Sequence, residues 1–221
     1  MENEDRFRIE REEMVRNQLE RRGVRDARVL DAMRKIPRHL FVPPELRSRA
    51  YEDGPLPIGI SQTISQPYIV GAMSELLELR GTENVLEIGT GSGYQAAVLT
   101  ELARSVHSVE RHAALAEQAA KTLAMLGYQD VFVHIGDGSL GWVDGAPYQA
   151  VLVTAAAPDI PKPLVDQLGE GGRLVVPVGN RSGQMLERWR KVGGVLRREK
   201  LFPVAFVPLR GTHGWQDEEW E

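Results

Sequence analysis

Gly89, Gly91 and Gly93 alternate with Thr90 and Ser92 directly after the apolar run Asn84-Val85-Leu86-Glu87-Ile88. A backbone free of Cβ atoms turns sharply there and lets a ligand lie against it. Gly91-Ser92-Gly93-Tyr94-Gln95-Ala96 satisfies the G-x-G-x-x-G/A fingerprint of nucleotide-type sites, and Glu110 follows at about the ~20-residue distance usual for a ribose ligand. Its two oxygens can accept from both ribose hydroxyls. Asp137, between Gly136 and Gly138, suits an acceptor for an adenine amine, although Gly-Asp-Gly is equally a common turn. The glycine pattern alone leaves two ligand classes open, a dinucleotide such as NAD and S-adenosylmethionine.

Glu87 separates them on electrostatic grounds. It sits two residues before the turn, where a carboxylate would repel a pyrophosphate in a partly desolvated site. S-adenosylmethionine carries no phosphate, and its ammonium and sulfonium favour a neighbouring acid. Ser65, upstream in Gln62-Thr63-Ile64-Ser65-Gln66-Pro67, reads from its own surroundings as an ordinary turn serine. No strong general base stands out. There is no cysteine, and His39, His107, His112, His134 and His213 read as solvated or packing residues.

These groups need elements to hold them. Residues 84–88 form a short apolar, β-branched strand of the kind that is covered on both faces. A helix starts at Tyr94 with Ala97, Val98 and Leu102 on one stripe, and 106–109 is the next strand, with Glu110 at its end. Residues 112–126, 131–135, 148–153, 161–168 and 173–178 continue as helix, strand, strand, helix and strand. That alternation implies parallel pairing with right-handed crossovers. Two further strands, 185–191 and 195–209, meet at Gly193-Gly194 and imply an antiparallel edge. Upstream, residues 5–22 are helical and end at Gly23. Asp26 caps a second helix that stops at Pro37, and Pro67 opens a third bearing Ile69, Met73, Leu76 and Leu77. The fold class expected is α/β and Rossmann-like. It has a mostly parallel sheet with helices on both faces, an antiparallel C-terminal edge and a helical N-terminal extension.

Bulk composition narrows the setting. The 221 residues are enough for one domain, and a net charge of −4 with basic residues spread along the chain gives no nucleic-acid face. Absence of cysteine fits a reducing compartment. The charged N-terminus is no secretory leader, and no apolar run has membrane-spanning length. A cytoplasmic monomer with no nucleic-acid or membrane partner is expected.

The segments LPIGISQTISQPYIV, VLEIGTGSGYQAAVL, GDGSLGW, VTAAAP and GGRLVVPVG together resemble the protein-L-isoaspartate O-methyltransferase family of class I S-adenosylmethionine-dependent methyltransferases. The resemblance runs from about residue 10 to 209. It implies one methyltransferase domain over 1–221. Residues 1–80 would be a helical extension bearing the active-site segment, and 81–221 the cofactor-binding sheet core. It implies that Ser65 is the active-site residue and that Gln62, Thr63 and Ile64 adjoin the cofactor. Glu87, Gly89, Gly91 and Gly93 become methionine-side contacts, Glu110 the ribose acceptor, Arg111 its neighbour over the adenine, and Asp137 and Gly138 the adenine-edge contacts. Thr154 to Ala157 and Pro177 to Gly179 would face the substrate.

The activity implied is transfer of a methyl group to the free α-carboxyl of L-isoaspartyl residues in damaged proteins and peptides, which starts their repair. Such a carboxyl, with a pKa near ~3.5, is already ionised at neutral pH and needs no strong base. One departure stands out: a threonine expected after Pro208-Leu209 is Arg210, with Thr212 as its replacement from the next turn. The acidic end GWQDEEWE matches nothing and reads as a frayed tail.

Three rival readings remain. A methyltransferase of the same fold could act on a small molecule or RNA, and no basic, aromatic-interleaved face supports RNA. Glu87 argues against an NAD-dependent oxidoreductase. Ser65 in its full segment argues against a cofactor-binding module without catalysis.

Overall fold

The computed structural model describes residues 2–216 and Trp220. Its centre is a seven-stranded sheet built from β3 (Asn84–Ile88), β4 (Ser105–Glu110), β5 (Val131–Ile135), β6 (Tyr148–Val153), β7 (Leu168–Asn180), β8 (Gly183–Val192) and β9 (Val195–Val204). The strands lie in the order β5-β4-β3-β6-β7-β8-β9. β3 pairs parallel with β4 and β6, β4 with β5, and β6 with β7, whereas β7-β8-β9 is antiparallel. Chain order therefore reverses at β3, which puts a crevice outside the carboxyl ends of β3 and β6, where open α/β sheets bind ligands. Parallel core and antiparallel edge agree with the sequence expectation.

Successive strand residues point to opposite faces. On β3, Val85 packs into one apolar cluster and Leu86 and Ile88 into the other. Glu87 shares the Val85 face, and on β4 Ser108 shares the Val106 face directly opposite. The Val85 face is covered by α2 (Ala27–Lys35), α3 (Pro67–Leu76) and α4 (Tyr94–Thr100), whose Val29, Met33, Val70, Met73, Val98 and Leu99 are buried there. α5 (Ala113–Met125) adds Leu123 to the same cluster, and α6 (Lys162–Gln167) contributes Leu164 to the opposite face.

Local signals behave as their chemistry requires. The Asp26 side chain accepts from the Arg28 amide at 2.9 Å and caps α2, Pro67 opens α3, and Gly23 and Gly127 adopt φ of +98° and +84° where helices stop. Boundaries differ most in four places. The first helix runs from Glu2 as α1 (Glu2–Met14), then widens to a π-helical stretch, Val15–Leu19, and a 3-10 turn, Glu20–Arg22. Residues 62–66 are not merely extended: β1 (Leu56–Gly59) and β2 (Gln62–Ile64) form a small antiparallel hairpin. β7 begins at Leu168, so the helix before it is shorter than its apolar pattern implies. β9 stops at Val204 rather than 209. Val207 and Leu209 instead bond through their backbones to Ala156 and carry the chain across the crevice. No helix among the described residues is long and apolar enough to cross a membrane.

Candidate active site

The glycine turn follows β3. Gly89, Gly91 and Gly93 have φ of +95°, +52° and +85°, a region L side chains rarely occupy. A Cβ on Gly89 would run into the Thr154 hydroxyl, which donates to the Gly89 carbonyl at 2.7 Å. The Gly91 amide donates to Glu110 Oε2 at 3.0 Å, and the His112 amide to Glu110 Oε1 at 3.0 Å. The carboxylate is thus held by two backbone donors, and each oxygen keeps a further lone pair. A Cβ on Gly138 would strike Ile88, so the glycine lets the turn after β5 pack closely against β3 on the cavity wall.

Around this turn lies a cavity of about 420 Å³, within the range for small-molecule sites. Of the residues expected at the site, Gln62, Thr63, Ile64, Ser65, Gly89, Gly91, Glu110, Arg111 and Gly138 line it together. Sequence positions 62–65 and 138 are far apart, yet the β1-β2 hairpin and the end of β5 bring both to the mouth of β3. The hydroxyl of Ser65 makes no hydrogen bond among the described residues, while its carbonyl accepts from Arg38 at 2.8 Å.

Three expected contacts do not line the cavity: Glu87, Gly93 and Asp137. Glu87 is fully buried behind the turn, where Ser108 donates to its Oε2 and Oε1 has no partner. Burial pushes its carboxyl up to about 8, outweighing the Ser108 bond, so it is mostly neutral at pH 7. A neutral Glu87 would not repel a pyrophosphate, so its charge is not what favours S-adenosylmethionine. Gly93 caps α4, and a Cβ there would crowd Ala119 at 3.2 Å and Leu123 at 3.3 Å. Helix packing is what needs that glycine.

Asp137 accepts from the Ser139 amide at 2.9 Å, the Ser139 hydroxyl at 2.7 Å and the Thr212 amide at 2.7 Å. Burial alone would raise its carboxyl, but these bonds outweigh it and hold it below the usual carboxylate range. Asp137 anchors the C-terminal segment rather than presenting its carboxylate to the cavity. Thr212 likewise stays outside the lining, and Arg210 is the residue that reaches it.

Sequence reasoning missed His112, which lines the cavity through its position after Glu110, and Pro208 to Arg210, which arrive by the crossing at Ala156. It also missed Trp220. The tail is not simply frayed: the Trp215 amide donates to the Leu209 carbonyl at 2.8 Å, and Trp215 meets Trp220 edge-on at 5.5 Å. Asp217, Glu218, Glu219 and Glu221 lie outside the described residues. The other histidines pack as expected in kind: His39 bonds Tyr51 at 2.8 Å, and His107 and His134 meet at 3.0 Å beneath Trp142.

A second, open groove of about 970 Å³ runs from the cavity between α3 and the end of β9. Thr63, Ser65, Thr154, Val207, Pro208 and Trp220 belong to both walls. Tyr68, Phe202, Phe206, Arg22 and Arg181 line the groove, and no acid does among the described residues.

Residues 9–214 match the family model of protein-L-isoaspartate(D-aspartate) O-methyltransferase. The chain belongs to this family. It is 58% identical over 214 residues to the protein-L-isoaspartate O-methyltransferase of Methanoculleus marisnigri, and the match covers 97% of each chain. A solved protein-L-isoaspartate O-methyltransferase, 30% identical, superposes with a TM-score of 0.83 over 92% of this chain and 67% of that one. A Plasmodium falciparum structure described as the same enzyme in complex with S-adenosyl-L-homocysteine is 23% identical, with a TM-score of 0.76 over 90% of this chain and 98% of that one. That likeness concerns the fold. As a member of the isoaspartate methyltransferase family, the chain is an S-adenosylmethionine-dependent methyltransferase of isoaspartyl residues. The oxidoreductase reading and the small-molecule and RNA readings fall away.

Proposed function

We propose that the cavity holds S-adenosylmethionine and that Ser65 orients the free α-carboxylate of an L-isoaspartyl residue entering along the groove. The observation that carries this reading is the seat of Ser65, at the junction of cavity and groove with its hydroxyl uncommitted. The cavity suits the cofactor. Gly89 and Gly91 put bare backbone on its wall, the doubly anchored Glu110 offers acceptors to a ribose diol, and Gly138 with Ile88 gives a flat ring a close-packed face. Gln62, Thr63 and Ile64 close one side and Arg111 the rim.

When bound, S-adenosylmethionine supplies a methyl group activated on a sulfonium, which an ionised carboxylate accepts without a proton changing hands. The chain's own task is then placement and exclusion of water. Ser65 donates to one carboxylate oxygen and fixes the direction of the other. Val207, Pro208 and Trp220, on the shared wall, keep water from the junction. Thr154 and the small residues after it leave room for a peptide backbone.

We further infer that residues 1–221 act as one domain, with 1–80 contributing the active-site segment to the sheet core of 81–221. The enzyme is read as a cytoplasmic monomer whose partners are isoaspartyl proteins and peptides, with no nucleic acid or membrane among them. Its lack of cysteine and mild acidity support that setting. The test is Ser65→Ala, assayed with an isoaspartyl peptide. Turnover is expected to fall at least tenfold, with cofactor affinity within a few-fold of wild type. Unchanged turnover would remove Ser65 from the mechanism.

A further inference from the structure

Arg38 has no exposed surface, and no carboxylate pairs with it among the described residues. It sits in a 3-10 turn, Arg38–Leu40, after α2. Nε donates to the Ala50 carbonyl at 2.7 Å and Nη2 to the Ser65 carbonyl at 2.8 Å. Its guanidinium carbon lies 4.9 Å from the centroid of the Tyr94 ring. Nη1 is buried with no hydrogen-bond partner. Burial lowers the group to about 10, only partly countered by Tyr94 and Tyr51, so it is cationic at neutral pH.

A buried cation without an anion is costly, and two carbonyls and an aromatic face compensate it only in part. Its location gives the charge a use. Ser65 and Tyr94 both line the cavity, so the guanidinium stands one residue behind that wall. The single acid on the cavity wall among the described residues, Glu110, is already engaged by two backbone amides. In surroundings this dry, the field of a fixed charge reaches farther than it would in water. Both ligands bring a carboxylate, the cofactor on its methionine end and the substrate at its α-carbon, and the substrate's is the one that the reading of Ser65 sets in front of this charge.

We propose that Arg38 is a positioning residue whose buried charge, seated behind Ser65, draws the substrate's α-carboxylate to that serine and favours it over an uncharged group of the same shape. This rests on the reading of Ser65 as the residue that meets the carboxylate. A purely structural clamp would need the carbonyl bonds but would be indifferent to the charge of the acceptor.

The test compares two competitors: an isoaspartyl peptide and its counterpart with the α-carboxyl replaced by a carboxamide. Inhibition constants are measured on wild type, Arg38→Met and Arg38→Lys, with the cofactor saturating. Wild type is expected to bind the acid at least tenfold more tightly than the amide. Arg38→Met should lose at least tenfold for the acid and less than threefold for the amide. Arg38→Lys, which keeps the charge but cannot repeat both carbonyl bonds, should retain most of the preference. Equal weakening of both competitors in Arg38→Met, or no preference in wild type, overturns the proposal. If Arg38→Met does not fold, Arg38→Lys decides: a preserved preference supports the charge, and a lost one refutes it. Failure of Ser65 as the active-site residue shows separately, as unchanged turnover in Ser65→Ala.

Discussion

The Gly91 amide donates to Glu110 Oε2 at 3.0 Å and so joins the glycine turn after β3 to the acid at the end of β4. With the His112 amide on Oε1, both carboxylate oxygens face backbone donors. A glutamine at this position would have to turn its NH₂ group towards one of those N–H groups. Glu110→Gln is therefore expected to disturb the turn as well as the ribose contact. Cofactor affinity should fall at least tenfold, about 1.4 kcal/mol, while turnover at saturating cofactor stays within a few-fold. Titration calorimetry with S-adenosylhomocysteine reads the change, and an unaltered affinity would remove Glu110 from the binding site.

Glu87 makes stability depend on pH. Its carboxyl is raised from 4.5 to about 8 in the folded chain, so the folded state binds more protons than the unfolded one between those values. Stability is then greatest below pH 4.5, as far as this group is concerned, and is lost as pH rises towards 8. At about 1.36 kcal/mol per pH unit the loss has an upper bound of roughly 5 kcal/mol. Glu87→Gln removes the titration, and urea denaturation of the cofactor-free protein at pH 5, 6.5 and 8 should show the variant gaining on wild type at each step. Parallel curves would mean that Glu87 is ionised in the fold.

The groove sets a charge preference in the acceptor peptide. Arg181 is exposed and makes no ion pair among the described residues, and Arg22, over the Tyr68 ring at 3.7 Å, is half-neutralised by Asp53 at 3.3 Å. Apart from Asp53, no acid faces them among the described residues that line the groove. Peptides with acidic residues flanking the isoaspartate should show a kcat/KM a few-fold above lysine-flanked ones, an effect that shrinks as salt rises. Arg181→Glu should abolish or reverse it. A salt-independent preference would point to shape instead.

What could be read from the sequence was local or periodic. The glycine turn, the parallel strands, the caps at Asp26 and Gly127 and the spacing to Glu110 all depend on residues close in the chain. The charge state of Glu87 does not: it follows from burial, which outweighs the Ser108 bond from the neighbouring strand. Asp137 looked like a ligand because its turn is at the sheet mouth, yet the Thr212 amide, far along the chain, engages its carboxylate. Trp220 and Arg210 reach the site only because the chain after β9 leaves the sheet edge and crosses at Ala156. Arg38 gave no sequence signal at all, since an arginine reads as a surface residue until its burial is known.

Methyl transfer to isoaspartyl residues is checked by a single comparison. The protein is incubated with methyl-labelled S-adenosylmethionine and two peptides identical except that one carries aspartate and the other L-isoaspartate. Label is expected on the isoaspartyl peptide alone, released by mild base as an ester would be. Equal labelling of both peptides, or of neither, would contradict it.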